Sequence, residues 1–208
     1  MGQLDSDTFP YAAGALETVS SGKWTRTSDS GFTGIDCDGA GSVTGHGNND
    51  AVYIPTSWSG STSDHYSEIK LGTLQNDGGP CVRVTDGTTT TMYLADLDPA
   101  TAFPTTNYTI FMKNSATFTA VSGGSGSINT FTVGDVFRLE IQGTTLTLKQ
   151  NGTVVKTCTD STLATGKPGM HTDSTAIKYT DWAAGDFAGG AAINITLSEP
   201  TVTGGVIS

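Results

Sequence analysis

The sequence predicts an all-β protein built as an antiparallel two-sheet sandwich, and three observations lead to this prediction. Threonine, which favours strands, is the commonest residue, and glycine, which favours turns, occurs 27 times, while only 14% of the residues are charged. Short segments of strand character follow one another with turn residues between them, and no stretch has the period of a helix. Such a pattern is typical of sandwiches or barrels rather than of alternating βαβ units.

The clearest strand is predicted over Val136–Gln142, where apolar Phe137, Leu139 and Ile141 alternate with polar residues. Further strands are predicted over 51–54, 65–71, 81–84, 90–95, 108–113, 117–121, 145–150 and 153–159. Turn chemistry predicts the breaks between strands at 76–80, 86–87, Pro99, Pro104 and 122–127.

The pair Asn151-Gly152 is the strongest local signal in the chain. Asn-Gly between two strand segments predicts a two-residue type I′ turn, because both turn positions need a positive φ. Such a turn pairs Gln150 with Thr153 and, continuing in register, places Leu148 opposite Val155.

We expect one domain over residues 1–188 and a separate extension over residues 189–208. Alanine and glycine dominate 188–192, and a strand-like segment with Ile193, Ile195 and Leu197 follows. The extension is therefore either a last edge strand or a β arm that pairs with another molecule. An arm would bury its edge only in an assembly, so we expect an oligomeric assembly in that case.

Charge and hydropathy exclude several classes of partner. The formal net charge of −10 and the pI near 4.4 disfavour nucleic acid and anionic membranes. No apolar run approaches the roughly 20 residues that a spanning helix needs, so we expect no membrane insertion.

Cys37, Cys81 and Cys158 have no CxxC spacing, which predicts reduced structural thiols. The acidic start predicts synthesis in a cytoplasm, although a removed signal peptide would leave the same appearance.

Several segments, in this order, resemble the laminin-G-like, concanavalin A-like jelly-roll domains of bacterial and phage proteins: 7–9, 13–16, 23–25, 131–140, 151–152, 166–169 and 181–186. They extend over residues 5–187, and the tail is similar to short extensions on phage structural proteins. The resemblance implies a jelly roll with Asp7 and Asp181 on neighbouring terminal strands. It also implies that Phe9, Trp24 and Trp182 are core aromatics.

The sequence offers no catalytic set, so we expect no enzyme. Glucanases and lyases of the resembling family place two glutamates close together on one strand, whereas Glu17, Glu68, Glu140 and Glu199 are far apart in this sequence. Glu68 and Glu140, on different strands, could still meet across the sheet, but each lies beside a polar neighbour in a solvent-facing register. No GxSxG motif is present. His46, His65 and His171 are scattered, and we expect them at the surface or at sheet edges.

Cofactors are not expected, with calcium as the single alternative. Asp36-Cys37-Asp38-Gly39 and Asn48-Asn49-Asp50 are the best calcium candidates, because calcium takes oxygen ligands from short polar loops. The competing interpretation of both segments is a solvated turn, and no metal ligand is assigned.

Trp58 is the one candidate for a ligand-binding residue. It lies in the polar segment 56–63, which offers little to bury an indole. An exposed indole stacks on a sugar ring or covers a protein contact; the alternative is an indole folded over the mouth of the sandwich.

These observations favour a non-enzymatic phage virion structural protein, in capsid decoration or tail adhesion, with the C-terminal arm bound to other virion proteins. The first alternative is a glycan-binding module that uses Trp58 on a cell-surface glycan. The second is a polysaccharide hydrolase or lyase with Glu68 and Glu140. The expected location is the virion, with a secreted or cell-surface location as the alternative.

Overall fold

A computed structural model describes residues 4–29, 32–47, 51–75, 77–114 and 117–187. Within these ranges the chain forms sixteen strands and one short helix: β1 Leu4–Asp7, β2 Gly14–Ala15, α1 Leu16–Val19, β3 Trp24–Arg26, β4 Ile35–Cys37, β5 Val43–Gly45, β6 Ala51–Pro55, β7 His65–Leu71, β8 Gly78–Thr85, β9 Thr91–Leu97, β10 Tyr108–Lys113, β11 Phe118–Gly126, β12 Val136–Gln142, β13 Thr145–Gln150, β14 Thr153–Thr159, β15 Lys167–Thr172 and β16 Lys178–Asp186. No helix among the described residues is long and apolar enough to cross a bilayer.

The strands form two antiparallel sheets, as the sequence predicts. Sheet A has the order β14-β13-β12-β7-β16-β5-β4-β2, with β1 also paired to β16, and sheet B has the order β11-β10-β9-β8-β15-β6-β3. One large apolar cluster draws on residues of both sheets and is therefore the core between them. β7 shows how the sequence builds this core, because buried and half-buried residues alternate along its whole length.

Aromatic side chains hold the terminal strands against the core. Trp24 and Trp182 pack edge to face with ring centroids 4.7 Å apart, and both are buried together with Phe9. The indole nitrogen of Trp24 donates a hydrogen bond of 2.7 Å to the Asp7 carboxylate. β1 pairs with β16 so that Asp7 lies opposite Trp182, the residue after Asp181. The predicted positions of these five residues are thus confirmed.

The Asn151-Gly152 turn is confirmed, but the register beyond it differs from the prediction. Asn151 and Gly152 have φ of 50° and 80°, and Gln150 pairs with Thr153. Leu148 then lies opposite Lys156 rather than Val155, because the register shifts between Leu148 and Lys149. An extra residue in β14 forms a bulge, which turn chemistry alone does not reveal.

Two predicted breaks are wrong because their glycines lie inside strands. β11 runs through the segment 122–126, where Gly126 lies opposite Tyr108 and a Cβ would collide with the Tyr108 hydroxyl group. β8 begins at Gly78, and a Cβ on Gly79 would collide with the carbonyl oxygen of Ala95. These glycines serve close packing rather than turning.

Arg83 ties together the loops at one end of the sandwich. Its guanidinium group, 3% exposed, donates hydrogen bonds to the backbone carbonyls of Ser63 (2.9 Å), Gly143 (2.5 Å) and Leu163. The nearest carboxylate oxygen is that of Asp64, at 3.7 Å. Three loops are thereby fixed relative to one another by one buried cation.

Candidate functional site

The outer face of sheet B carries a second apolar cluster. Its strand members alternate with core residues, as in β9, where Met92 and Leu94 belong to this cluster and Tyr93 to the core. Because successive side chains of a strand point to opposite faces, the cluster lies on the side of sheet B away from sheet A. Phe32 belongs to the cluster, Phe118 packs against it, and Lys113 binds Asp29 at 2.8 Å beside it.

A cleft of about 210 Å³, called here the acidic cleft, opens on this outer face. It is lined by Leu94, Asp96, Phe111, Phe118, His171 and Asp173. The rings of Phe111 and Phe118 meet edge to face at 6.1 Å. Aromatic surface next to carboxylates suits an amphipathic ligand with hydroxyl groups on an apolar ring.

Three carboxyl groups meet at one end of the acidic cleft. Asp96 and Asp98 occupy alternate positions at the end of β9, so both side chains point to one face. The backbone nitrogen of Asp77 donates to the carbonyl of Leu97 at 3.1 Å, which brings the start of β8 alongside. One ligand oxygen from each of Asp77, Asp96 and Asp98 lies within 4.8 Å of the others.

The environment disfavours ionisation of this cluster. Burial raises the pKa of Asp96 to about 7, the charge of His171 opposes this shift, and the charges of Asp98, Asp77 and Asp173 add to it. Burial, followed by the hydrogen bond with Asp77, raises the pKa of Asp98 to about 6. Atom Oδ1 of Asp96 is buried and has no hydrogen-bond partner among the described residues. A bound cation would reduce the repulsion between the carboxylates and would give Oδ1 of Asp96 a partner.

These residues fit a calcium ion. All three donors are carboxylate oxygens, which calcium prefers, and backbone carbonyls and water complete its usual six to eight ligands. The buried Oδ1 atom of Asp96 is the observation that favours an ion here.

The loop that begins at Asp98 presents a further aromatic ring. Phe103 is 52% exposed, although large apolar side chains are usually covered. The Asn107 amide fixes this loop by donating to the carbonyls of Thr101 (3.2 Å) and Ile128 (2.9 Å).

The structure agrees with the second interpretation of Trp58, an indole folded into the end of the sandwich, and not with an exposed indole. Trp58 is 1% exposed and belongs to the core cluster, with its rings 6.0 Å from those of His65. The polar segment 56–63 folds the indole into the end of the sandwich, so its faces are covered in this conformation. The role of Trp58 as a ligand-binding residue is a prediction without support from its position.

The predicted calcium loops do not supply a site in the described residues. The Asp38 carboxylate accepts from the amides of Ala40 and Ser42 and from the Lys178 ammonium group at 2.9 Å, and its pKa is lowered chiefly by the Ser42 hydroxyl. Asp36 instead contacts His46, with 2.6 Å between Oδ2 and Nδ1. The carboxylates of Asp36, in β4, and of Asp38, just after β4, thus have partners within the protein, and 48–50 lies outside the described residues.

Glu68 and Glu140 come near each other on the outer face of sheet A, but Arg138 lies between them. Arg138 is 2.7 Å from Glu68 and 3.7 Å from Glu140, and Lys149 binds Glu140 at 2.7 Å. Both carboxylates are neutralised by cations, which is unsuited to an acid and nucleophile pair.

Two of the three histidines are not at the surface, contrary to expectation. His65 and His171 are 0% and 2% exposed, whereas the His46 side chain is exposed. Burial, aided by the Arg83 charge, lowers the pKa of His65 to about 4. The neutral ring then accepts a hydrogen bond of 3.0 Å from the Arg83 backbone nitrogen.

Comparisons with known proteins identify the fold. No family model and no curated protein sequence matches the chain. Among solved structures, the carbohydrate-binding module CBM66 from Bacillus subtilis is 18% identical with a TM-score of 0.53 and covers 79% of this chain and 92% of its own. Porphyranase B from Zobellia galactanivorans is 10% identical with a TM-score of 0.56, covering 89% and 93%. The calcium- and mannose-bound exoplasmic domain of VIP36 is 13% identical with a TM-score of 0.54, covering 88% and 91%.

The fold is a concanavalin A-like jelly roll. The predicted fold class and resemblance are therefore confirmed, and the neighbours cover most of both chains in each comparison. At these identities the likeness concerns the fold alone.

Sequence reasoning missed Asp77, Asp96 and Asp98. A signal for two of them was present, because Asp96-Leu97-Asp98-Pro99 places two acids at alternate positions where a strand ends. Asp77 could not be found in this way, since its proximity depends on the pairing of β8 with β9.

Proposed function

We propose that the protein is a carbohydrate-binding module that binds a saccharide at the acidic cleft, with a calcium ion held by Asp77, Asp96 and Asp98. The observation that carries the proposal is the meeting of aromatic rings and an unpartnered buried carboxylate oxygen in one cleft. The neighbours named for carbohydrate binding, or for bound mannose and calcium, support it.

Different residues of the chain contribute different contacts with the saccharide. Phe111 and Phe118 offer apolar ring surface, and Phe103 on the adjoining loop offers a ring for stacking. The half-buried carboxylates accept hydrogen bonds from saccharide hydroxyl groups. When bound, the calcium ion would supply coordination positions for hydroxyl oxygens.

A glycan array followed by calorimetry with calcium tests the proposal. We expect wild type to bind at least one glycan, and Phe103→Ala and Asp96→Asn each to weaken that binding about tenfold or more. Val133→Ala is the matched control, because Val133 is 58% exposed on a loop outside the acidic cleft. Its affinity should equal that of wild type.

Two results would contradict the proposal. Failure of wild type to bind any glycan would remove the function itself, and unchanged affinity in both Asp96→Asn and Phe103→Ala would move the site elsewhere. Release of reducing ends from a bound glycan, abolished by Asp98→Asn, would assign hydrolysis to the Asp96 and Asp98 pair instead.

Residence in a phage particle remains a prediction. The arm predicted over 189–208 lies outside the described residues, as does the boundary at 188. A glycan-binding module on a virion would combine the two interpretations of the sequence, a phage structural protein and a glycan-binding module, since tail adhesion requires recognition of a host surface.

A further inference from the structure

Most of the basic residues of this acidic protein form ion pairs with acids. Seven of its ten lysines and arginines form ion pairs within the described residues: Lys23, Lys70, Arg83, Lys113, Arg138, Lys149 and Lys178. Arg26, Lys156 and Lys167 form no ion pair with any described residue.

The positions of two of these three have a structural explanation. Arg26 lies in β3 and Lys156 in β14, which are edge strands of sheets B and A. Charges on edge strands prevent pairing with a strand of another molecule. Lys167 is different, because β15 lies inside sheet B between β8 and β6.

Lys167 lines a second cleft on the outer face of sheet B, called here the lysine cleft. The cleft measures about 470 Å³ and is lined by Thr25, Ile54, Pro55, Thr56, Ser61, Val84, Thr85, Asp86 and Lys167. Asp86, the acidic residue of this lining, accepts hydrogen bonds from the Ser28 amide at 2.6 Å and the Ser28 hydroxyl at 3.3 Å. Lys167 therefore faces the cleft as an ammonium group without a carboxylate partner.

The rest of the lining suits a saccharide. Ile54 and Val84 are buried and give the cleft an apolar floor. The exposed hydroxyl groups of Thr25, Ser61 and Thr85 make no hydrogen bond with another described residue, so they are available to a ligand. An apolar floor with surrounding hydroxyl groups matches the two kinds of surface on a sugar ring.

The lysine cleft and the acidic cleft lie on one face and share a strand. Lys167 at the start of β15 and His171 near its end point to the same side, four residues apart. Strand geometry separates their backbones by about 13 Å, which is farther than one sugar ring reaches. A single oligosaccharide could therefore contact both clefts.

We propose that the lysine cleft is a second subsite for the same saccharide and that it selects an anionic group, a carboxylate or a sulfate, through Lys167. A ligand that enters the cleft removes water from the ammonium group, which then needs a strong acceptor. An anionic acceptor makes a bond roughly twice as strong as a neutral hydroxyl group does. This inference rests on the proposed function and names the ligand class as an acidic oligosaccharide.

The test compares matched pairs of ligands by calorimetry. One pair is a glucuronate-containing oligosaccharide and its carboxyl-reduced form; the other is a sulfated oligosaccharide and its desulfated form. We expect wild type to prefer the anionic member of at least one pair by about tenfold or more. The pair that shows the preference distinguishes carboxylate from sulfate.

Lys167→Gln should remove this preference, because the amide side chain carries no charge. Lys156→Gln is the matched control, because it removes the same charge from the edge strand of sheet A and should preserve the preference. Equal affinity for both members in wild type, or a preference that survives Lys167→Gln, would overturn the inference while the proposed function stands. Binding to no member of either pair and to no glycan on the array would overturn both.

Discussion

At the residue scale, Asp96 illustrates how a buried acid opposes stability. Its carboxyl group is held where burial and neighbouring acids favour the protonated form. A folded-state pKa of about 7, above the ordinary 3.8, means that the folded protein binds the proton more tightly than the unfolded chain does. The resulting stabilisation is complete below about pH 3.8 and is lost as the pH rises through about 7.

Asp96→Asn should therefore stabilise the calcium-free protein at about pH 8, and this gain should disappear by about pH 4. Asparagine has the shape of the neutral acid and carries no charge at either pH. Urea unfolding at the two pH values measures the difference. A gain of equal size at both pH values would contradict the assigned burial of the charge.

Single residues were also the hardest feature to predict from the sequence. The burial of Phe9, Trp24 and Trp182 was expected from the resemblance to jelly-roll domains, and not from a local pattern. The burial of Trp58 could not be predicted, since the polar residues beside it in the sequence do not show which surface the loop folds onto. The buried His65 likewise depends on Arg83, 18 positions away in the chain.

At the element scale, the sequence predicted the strands whose alternation extends over six or seven residues. β7, β10, β12, β13 and β14 begin and end where the pattern indicated. β1 to β5 and α1 have two to four residues each and are too short to show a period. The glycines in β8 and β11 led to wrong predictions of breaks between strands, because glycine serves both close packing inside strands and tight turns.

The Asn151-Gly152 turn gives an element-scale prediction. Gly152→Ala should destabilise the protein by about 1 kcal/mol, since φ of 80° strains any residue with a Cβ and no atom lies within 4 Å of the added methyl group. Thermal or urea unfolding measures the loss.

Gly47→Ala is the matched control for this turn. Gly47 also has open space around its Cβ position, but it lacks a positive φ. The substitution should leave the stability unchanged or raise it by about 0.4–1 kcal/mol. Equal losses in the two variants would show that backbone strain is not the cause.

At the scale of the whole molecule, the outer faces of sheets A and B differ in the side chains that they carry. The outer face of sheet A carries a ladder of ion pairs around Arg138 and a cleft of about 290 Å³ whose lining includes the charged residues Glu68, Lys70 and Asp181. The outer face of sheet B carries an apolar cluster, two clefts, an unpartnered carboxylate oxygen and an unpaired ammonium group, all within the described residues. This asymmetry arises from strand pairing across the chain and could not be predicted from local patterns.

Calcium should stabilise the whole molecule in a pH-dependent manner. An ion that binds only the folded state adds about 2.7 kcal/mol at a hundredfold excess over its Kd. Protons compete for Asp96 and Asp98, so the rise in Tm with calcium should be larger at about pH 8 than at about pH 5.5. Differential scanning fluorimetry with and without calcium measures both values.

Asp98→Asn should abolish the calcium-dependent rise in Tm. Asp36→Asn, in β4, is the control and should retain this rise in Tm. If the rise persists in Asp98→Asn and is lost in Asp36→Asn, calcium binds at segment 36–39, the candidate from the sequence, and not at Asp98.

Arg83 has a consequence for how this scaffold can vary. Its guanidinium group donates hydrogen bonds to main-chain oxygens in the three loops that it joins, and Asp64 adds a carboxylate contact at 3.7 Å. Every residue type provides a main-chain oxygen, so positions in those loops other than Asp64, which also accepts from the Gly143 amide, can exchange their side chains while the spacing of the loops persists. One buried arginine thus makes this end of the sandwich tolerant of new loop sequences, and designed recognition surfaces could be grafted there at constant loop length.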